Sequence, residues 1–130
     1  MMLSEKIQQA DWKKEKHAPV IEAPASAKVG EAFEVKVGLG KEIAHPNTTE
    51  HHISWISLYF QPEGSNFTHQ VGHFEFWGHG ESTSGPNKGP VYAHPQVTAS
   101  ISLNQSGTLF ALAFCNIHGL WESSTAIKVS

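Results

Sequence analysis

Thr108-Leu-Phe-Ala-Leu-Ala-Phe-Cys115 decides the fold class: seven uncharged, mostly apolar residues follow a threonine with no break in phase. A run apolar on both sides suits a strand buried in the middle of a sheet. Working outward, Asn104 to Gly107 before it reads as a turn, and Val97, Ala99, Ile101 and Leu103 before that alternate with other residues. After it, Thr125, Ile127 and Val129 repeat the period of two that marks a half-buried strand. Glu31 to Leu39 alternates too, with Phe33, Val35, Val37 and Leu39 on one side and Glu34, Lys36 and Gly38 on the other. Ile53 to Phe60 is rich in β-branched and aromatic residues, and its phase changes at Trp55–Ile56, so it carries a bulge or is buried on both faces. Pro62-Glu63-Gly64 and Gly85-Pro86-Asn87 supply further turns. About seven short strands at near-regular spacing predict an all-β, seven-stranded sandwich or barrel. Ser4 is placed to cap a short helical segment from Glu5 to about Trp12.

The chain has 130 residues, 39% hydrophobic and 16% charged, which predicts one folded domain over 1–130 and excludes a disordered chain. Its one cysteine, Cys115, rules out an intrachain disulfide. All nine basic residues are Lys and the net charge is −3, so nucleic acid, which favours Arg for bidentate contacts, is not an expected partner. Met1 to Trp12 has no apolar core of a signal peptide, and no stretch is long and apolar enough for a membrane span. A cytoplasmic protein with no membrane partner is therefore expected. The unusual figure is nine His in 130 residues. Histidine is the commonest metal ligand, and its excess beside one Cys directs attention to a metal site.

Three segments hold the candidate ligands. Cys115-Asn-Ile-His118 ends the apolar strand in a turn before Gly119, where both side chains can bend toward one ion. A soft thiolate with an imidazole suits iron, copper or zinc rather than magnesium or calcium. His45-Pro-Asn-Thr-Thr-Glu-His51-His52 is a loop with His at both ends. Adjacent residues of a strand point to opposite faces, so His51 and His52 should not both reach one ion, but periodicity does not choose between them. Glu15-Lys16-His17 precedes Ala-Pro-Val-Ile-Glu22. Taken singly, a buried Cys is more often inert packing, and polar loops with surface His are ordinary. Their joint occurrence is what points to a metal.

Glu15-Lys-His-x-Pro-Val-Ile-Glu22, His45-Pro-Asn-Thr-Thr-Glu-His-His52 and Cys115-Asn-Ile-His-Gly-Leu-Trp121 together resemble the signature segments of the superoxide reductase (neelaredoxin) family. Gly78-His-Gly-Glu-Ser82 and Gly85-Pro-Asn87 also resemble family segments, and the likeness runs from about Asp11 to the C-terminus. The resemblance implies a seven-stranded immunoglobulin-like β-barrel. It also implies one-electron reduction of superoxide to hydrogen peroxide at one non-haem iron per subunit. Its ligand pattern maps onto His17, His45, His51 and His118 in a plane with Cys115 on the axis, and selects His51 over His52. It puts Glu15 and Lys16 on a loop over the open face as catalytic residues. With no Cys before Cys115, the chain resembles the one-iron class. Rubredoxin or a similar small redox protein is the implied electron donor, and a homotetramer or dimer the implied assembly. His52, His69, His73, His79 and His94 receive no role beyond surface or hydrogen-bonded structural histidines.

Two other classes compete. A blue-copper electron carrier uses two His, one Cys and usually an axial Met, yet the only Met residues are Met1 and Met2. A structural zinc module prefers four ligands in a closed tetrahedron, one fewer than the five candidates here.

Overall fold

The computed structural model describes all 130 residues. Its strands are β1 (Val20–Glu22), β2 (Ser26–Ala27), β3 (Phe33–Gly38), β4 (Ile53–Pro62), β5 (His69–Glu75), β6 (Gln96–Ile101), β7 (Gly107–Cys115) and β8 (Gly119–Val129). They form a three-stranded sheet in the order β1-β3-β6 and a five-stranded sheet in the order β2-β8-β7-β4-β5. The all-β, two-sheet expectation holds. The strands number eight, two of them short pieces, β1 of three residues and β2 of two. Runs that short carry no readable period.

β7 lies between β4 and β8, as its two-sided apolar run requires. Leu109, Ala111, Ala113 and Cys115 are buried, while Phe110, Leu112 and Phe114 are half-buried on the other face. In β4, Ile56, Ser57 and Leu58 are buried in succession, and the register against β7 shifts between Ile53 and Trp55. The burial on both faces expected at Trp55–Ile56 is present, and the irregularity lies one step earlier. Val35, Val37 and Leu39 meet Ile53, Ile56, Leu58, Phe60 and Ile127 in one core between the sheets.

The N-terminal helix from Glu5 to Trp12 does not form. A single 3-10 turn spans Leu3–Glu5, and its N-cap residue is Met2 rather than Ser4. An isolated helix of that length is marginal in water, and the backbone has a better partner. Gln8 N donates to Leu120 O at 3.0 Å and Glu122 N donates to Gln8 O at 2.9 Å, which ties the segment to β8. No helix is long and apolar enough to cross a membrane.

The register brings three loops to one end of the larger sheet. Ile53 pairs with Cys115, and Cys115 pairs with Gly119. The start of β4, the end of β7 and the start of β8 thus lie side by side. Gly119 has φ +81, a left-handed conformation that favours glycine and closes the turn after His118. Ser123 Oγ donates to Pro19 O at 2.6 Å and pins the segment after His17 against β8.

Candidate metal centre

Four side chains from the three loops converge. The ligand atoms of His17, His45, His51 and Cys115 all lie within 4.8 Å of one another. Two donors bound to one ion at about 2.0–2.3 Å stand about 3 Å apart when adjacent and about 4.3 Å apart when opposite, so the spread suits a single ion. Cys115 is 1% exposed and His17 5%. His118 stands outside this set of four, though beside it. Its Nδ1 is 3.7 Å from Cys115 Sγ, and its ring centroid lies 4.6 Å from that of His17 and 5.0 Å from that of His51. Its side is the exposed edge of the site.

The hydrogen bonds fix which ring nitrogen faces inward. His17 Nδ1 donates to Glu15 Oε1 at 2.7 Å, and His45 Nδ1 donates to Pro46 O at 2.7 Å. A neutral imidazole that donates from Nδ1 keeps its lone pair on Nε2. The Nε2 atoms of His17, His45 and His51 are buried without a hydrogen-bond partner. Buried polar atoms in a native fold are almost always paired, so three unpartnered nitrogens around one thiol mark a cation site. The chemistry of the donors, imidazole with sulfur, fits a transition metal. His118 N donates to Cys115 Sγ at 3.3 Å and ties the turn to the sulfur.

His45 and His51 are biased toward the neutral form that a ligand needs. Burial is the main cause that pushes the pKa of His45 down to about 4, with His17, His51 and Lys16 adding to it and the Pro46 carbonyl opposing. Burial also lowers His51, followed by repulsion from His118, His17 and Lys16. The half-buried Lys16 therefore acts on two of the rings. Glu15 is held below the ordinary carboxylate range chiefly by its bond from the His17 ring. Its Oε1 also accepts from His17 N at 3.1 Å. Glu15 thus braces His17 through Nδ1, the ring nitrogen opposite the one that faces the cluster.

The strand β4 begins at Ile53, so the two preceding His side chains diverge. His51 enters the cluster. His52 stacks instead on His79, with ring centroids 3.5 Å apart and planes 5° apart. His79 is buried, while His73 is half-exposed and hydrogen-bonded to Ser57.

Sequence reasoning did not single out Asn116 or Trp121 as parts of the site. Asn116 Nδ2 donates to Glu50 O at 2.9 Å and its Oδ1 accepts from His52 N at 2.9 Å, joining the Cys115 turn to the 45–52 loop. Trp121 stacks on His17 at 5.1 Å and donates from Nε1 to His118 O at 3.2 Å. Both stand within the Cys115–Trp121 motif, which was the available signal.

The profile of the desulfoferrodoxin family matches residues 9–124. The chain is 55% identical to a neelaredoxin from Megalodesulfovibrio gigas over 99% of each chain. A crystal structure of a Thermotoga maritima protein, 57% identical, superposes with a TM-score of 0.98 over 100% of this chain and 98% of that one. The superoxide reductase (neelaredoxin) from Archaeoglobus fulgidus in its reduced form, 53% identical, superposes with a TM-score of 0.87 over 94% of this chain and 98% of that one. With the family profile spanning nearly the whole chain and relatives above half identity at full length, the chain belongs to the superoxide reductase family of desulfoferrodoxin-type proteins.

Proposed function

We infer that this chain is a superoxide reductase, an oxidoreductase that takes superoxide, one electron and two protons to hydrogen peroxide. The metal is iron, one per subunit, held by His17, His45, His51, His118 and Cys115. The observation that carries this reading is the three orphaned, inward-facing Nε2 atoms gathered around a buried cysteine. Ferrous iron bound there supplies the single electron. A set of five donors would leave a bound metal room for one small substrate.

The chain's own residues do the rest. Lys16 brings positive charge to the mouth of the site and draws in the superoxide anion. Glu15 braces His17, and with iron bound and oxidised its carboxylate would help product leave. Trp121 walls the His17 ring. The exposed side of His118 leaves an approach for a donor such as rubredoxin. The chain acts as one domain over 1–130, as a cytoplasmic homodimer or homotetramer. Sedimentation of the purified protein tests the assembly.

The copper reading fits less well, because Met1 and Met2 are exposed at 94% and 68% and supply no axial sulfur to the cluster. The zinc reading leaves His118 over. The deciding experiment is metal analysis together with the visible spectrum of the oxidised protein. Iron near one equivalent is expected, with a sulfur-to-iron band in the red that Cys115→Ser abolishes. Zinc as the bound metal, or a band that survives Cys115→Ser, overturns the assignment.

A further inference from the structure

His79 lies outside the ligand set, yet it is 2% exposed and every polar atom it carries has a polar neighbour within 2.8 Å. Its Nδ1 stands 2.8 Å from Asn47 Oδ1 and its Nε2 2.7 Å from Phe76 O. Its backbone N donates to Glu81 Oε1 at 2.7 Å, and its carbonyl accepts from Thr49 Oγ1 at 2.7 Å. Its ring stacks face to face on His52. Asn47, Thr49 and His52 all belong to the loop that carries His45 and His51. Asn47 Nδ2 donates to Ala93 O at 3.1 Å, which orients its carbonyl oxygen toward His79.

The segment around His79 is itself tied down by backbone hydrogen bonds. Gly80 N donates to Val91 O, and Lys88 N and Gly89 N both donate to Gly80 O. A Cβ on Gly80 would lie 2.5 Å from the Tyr92 hydroxyl and 2.9 Å from Asn87 Cα, so the turn has no room to shift. Asn87, at φ 62, accepts from Thr49 N through Oδ1 at 2.7 Å and donates from Nδ2 to Glu50. The 45–52 loop is therefore clamped between Asn116 on the Cys115 side and His79 with Asn87 on the other.

We propose that His79 is a positioning residue of the metal site, which holds the 45–52 loop through Asn47, Thr49 and the stacked His52 so that His45 and His51 are set before the metal arrives. This rests on reading His45 and His51 as ligands. A supporting partner of this kind that acts on ligand orientation typically changes metal affinity by about 10–100-fold when lost.

His79→Phe keeps the stacked ring and removes both ring nitrogens that face Asn47 and Phe76. Asn47→Ala leaves His79 in place and removes its bond to the loop. Both variants are to be compared with the wild type by iron release to a chelator, by the red band of the oxidised protein, and by amide hydrogen exchange of the metal-free protein. Release about tenfold faster, a displaced band and faster exchange at Thr49, His51 and His52 are expected in both. Release within twofold of wild type with unchanged exchange in either folded variant overturns the proposal. If His79→Phe does not fold, Asn47→Ala decides alone by the same criteria. If the wild type itself retains no iron, the ligand reading has failed, and the clamp is still judged by exchange in the metal-free loop.

Discussion

Acidification of the metal-free protein should destabilise it in a pH window set by the ligand histidines. In the folded chain His45 has a pKa of about 4, against 6.5 when free of the fold. Between those values the unfolded chain binds a proton that the folded chain refuses, so stability falls as pH falls. The contribution is present in full above 6.5, is lost from there to about 4, and is flat below. If fully realised, the difference is worth about 3 kcal/mol at about 1.4 kcal/mol per pH unit. His45 is only half-buried, and solvent screening reduces this to about 1–2 kcal/mol. His51 and His79 are shifted in the same direction and steepen the loss. At a urea dependence of about 1–3 kcal/mol per molar, the unfolding midpoint should drop by about 1 M between pH 7 and pH 4.5. Urea titration followed by tryptophan fluorescence measures it, with His45→Gln as the control that flattens the slope over the same range. An unchanged midpoint in the wild type, or an equal slope in His45→Gln, would refute the claim that buried neutral imidazoles set the acid limit.

Lys16→Ala should slow the reaction with superoxide about fourfold, since a unit charge at about 5 Å is worth about 0.8 kcal/mol even at the dielectric of water; pulse radiolysis should also find a weaker dependence on ionic strength. Glu15→Ala should alter the ferric absorption spectrum and speed iron loss, because the brace on His17 Nδ1 is gone, while the first step with superoxide keeps its rate. Ile56→Ala, at a fully buried core position, should cost about 2–5 kcal/mol in chemical denaturation while leaving the spectrum of the folded iron protein unchanged.

The fold was readable where burial is one-sided and the run is long. Val35, Val37 and Leu39 alternate inward as their period requires, and β7 is flanked on both sides as its double apolar face requires. The two-residue β2 was not readable, because its pairing with Lys128 and Val129 is set by the end of β8 and not by its own side chains. The Ser4 cap misled for a related reason. Local propensity favoured a short helix, but Gln8 gains partners from Leu120 and Glu122 that a short helix cannot match.

The metal centre divides along the same line. The donors announce themselves, because few residue types offer a lone pair to a transition metal and those types cluster in three short motifs. The bonds that aim the donors do not, because they run to backbone carbonyls and to ordinary amides. Pro46 O fixes the tautomer of His45, Asn116 ties the Cys115 turn to Glu50 and His52, and Asn47 holds His79. Nothing in the spelling of Asn47 or His79 separates them from the polar residues of any loop. Yet a ring that turns about its Cβ by a few tens of degrees no longer aims its lone pair at the ion, so these partners decide whether the donors act together. Glu15 illustrates the competition this creates. One oxygen, Oε1, serves both His17 N and His17 Nδ1, so a Glu15 carboxylate that swings over to the vacant position leaves the His17 ring unbraced. Bracing the ligand and covering the metal, the role proposed for Glu15 above, would then compete for one side chain.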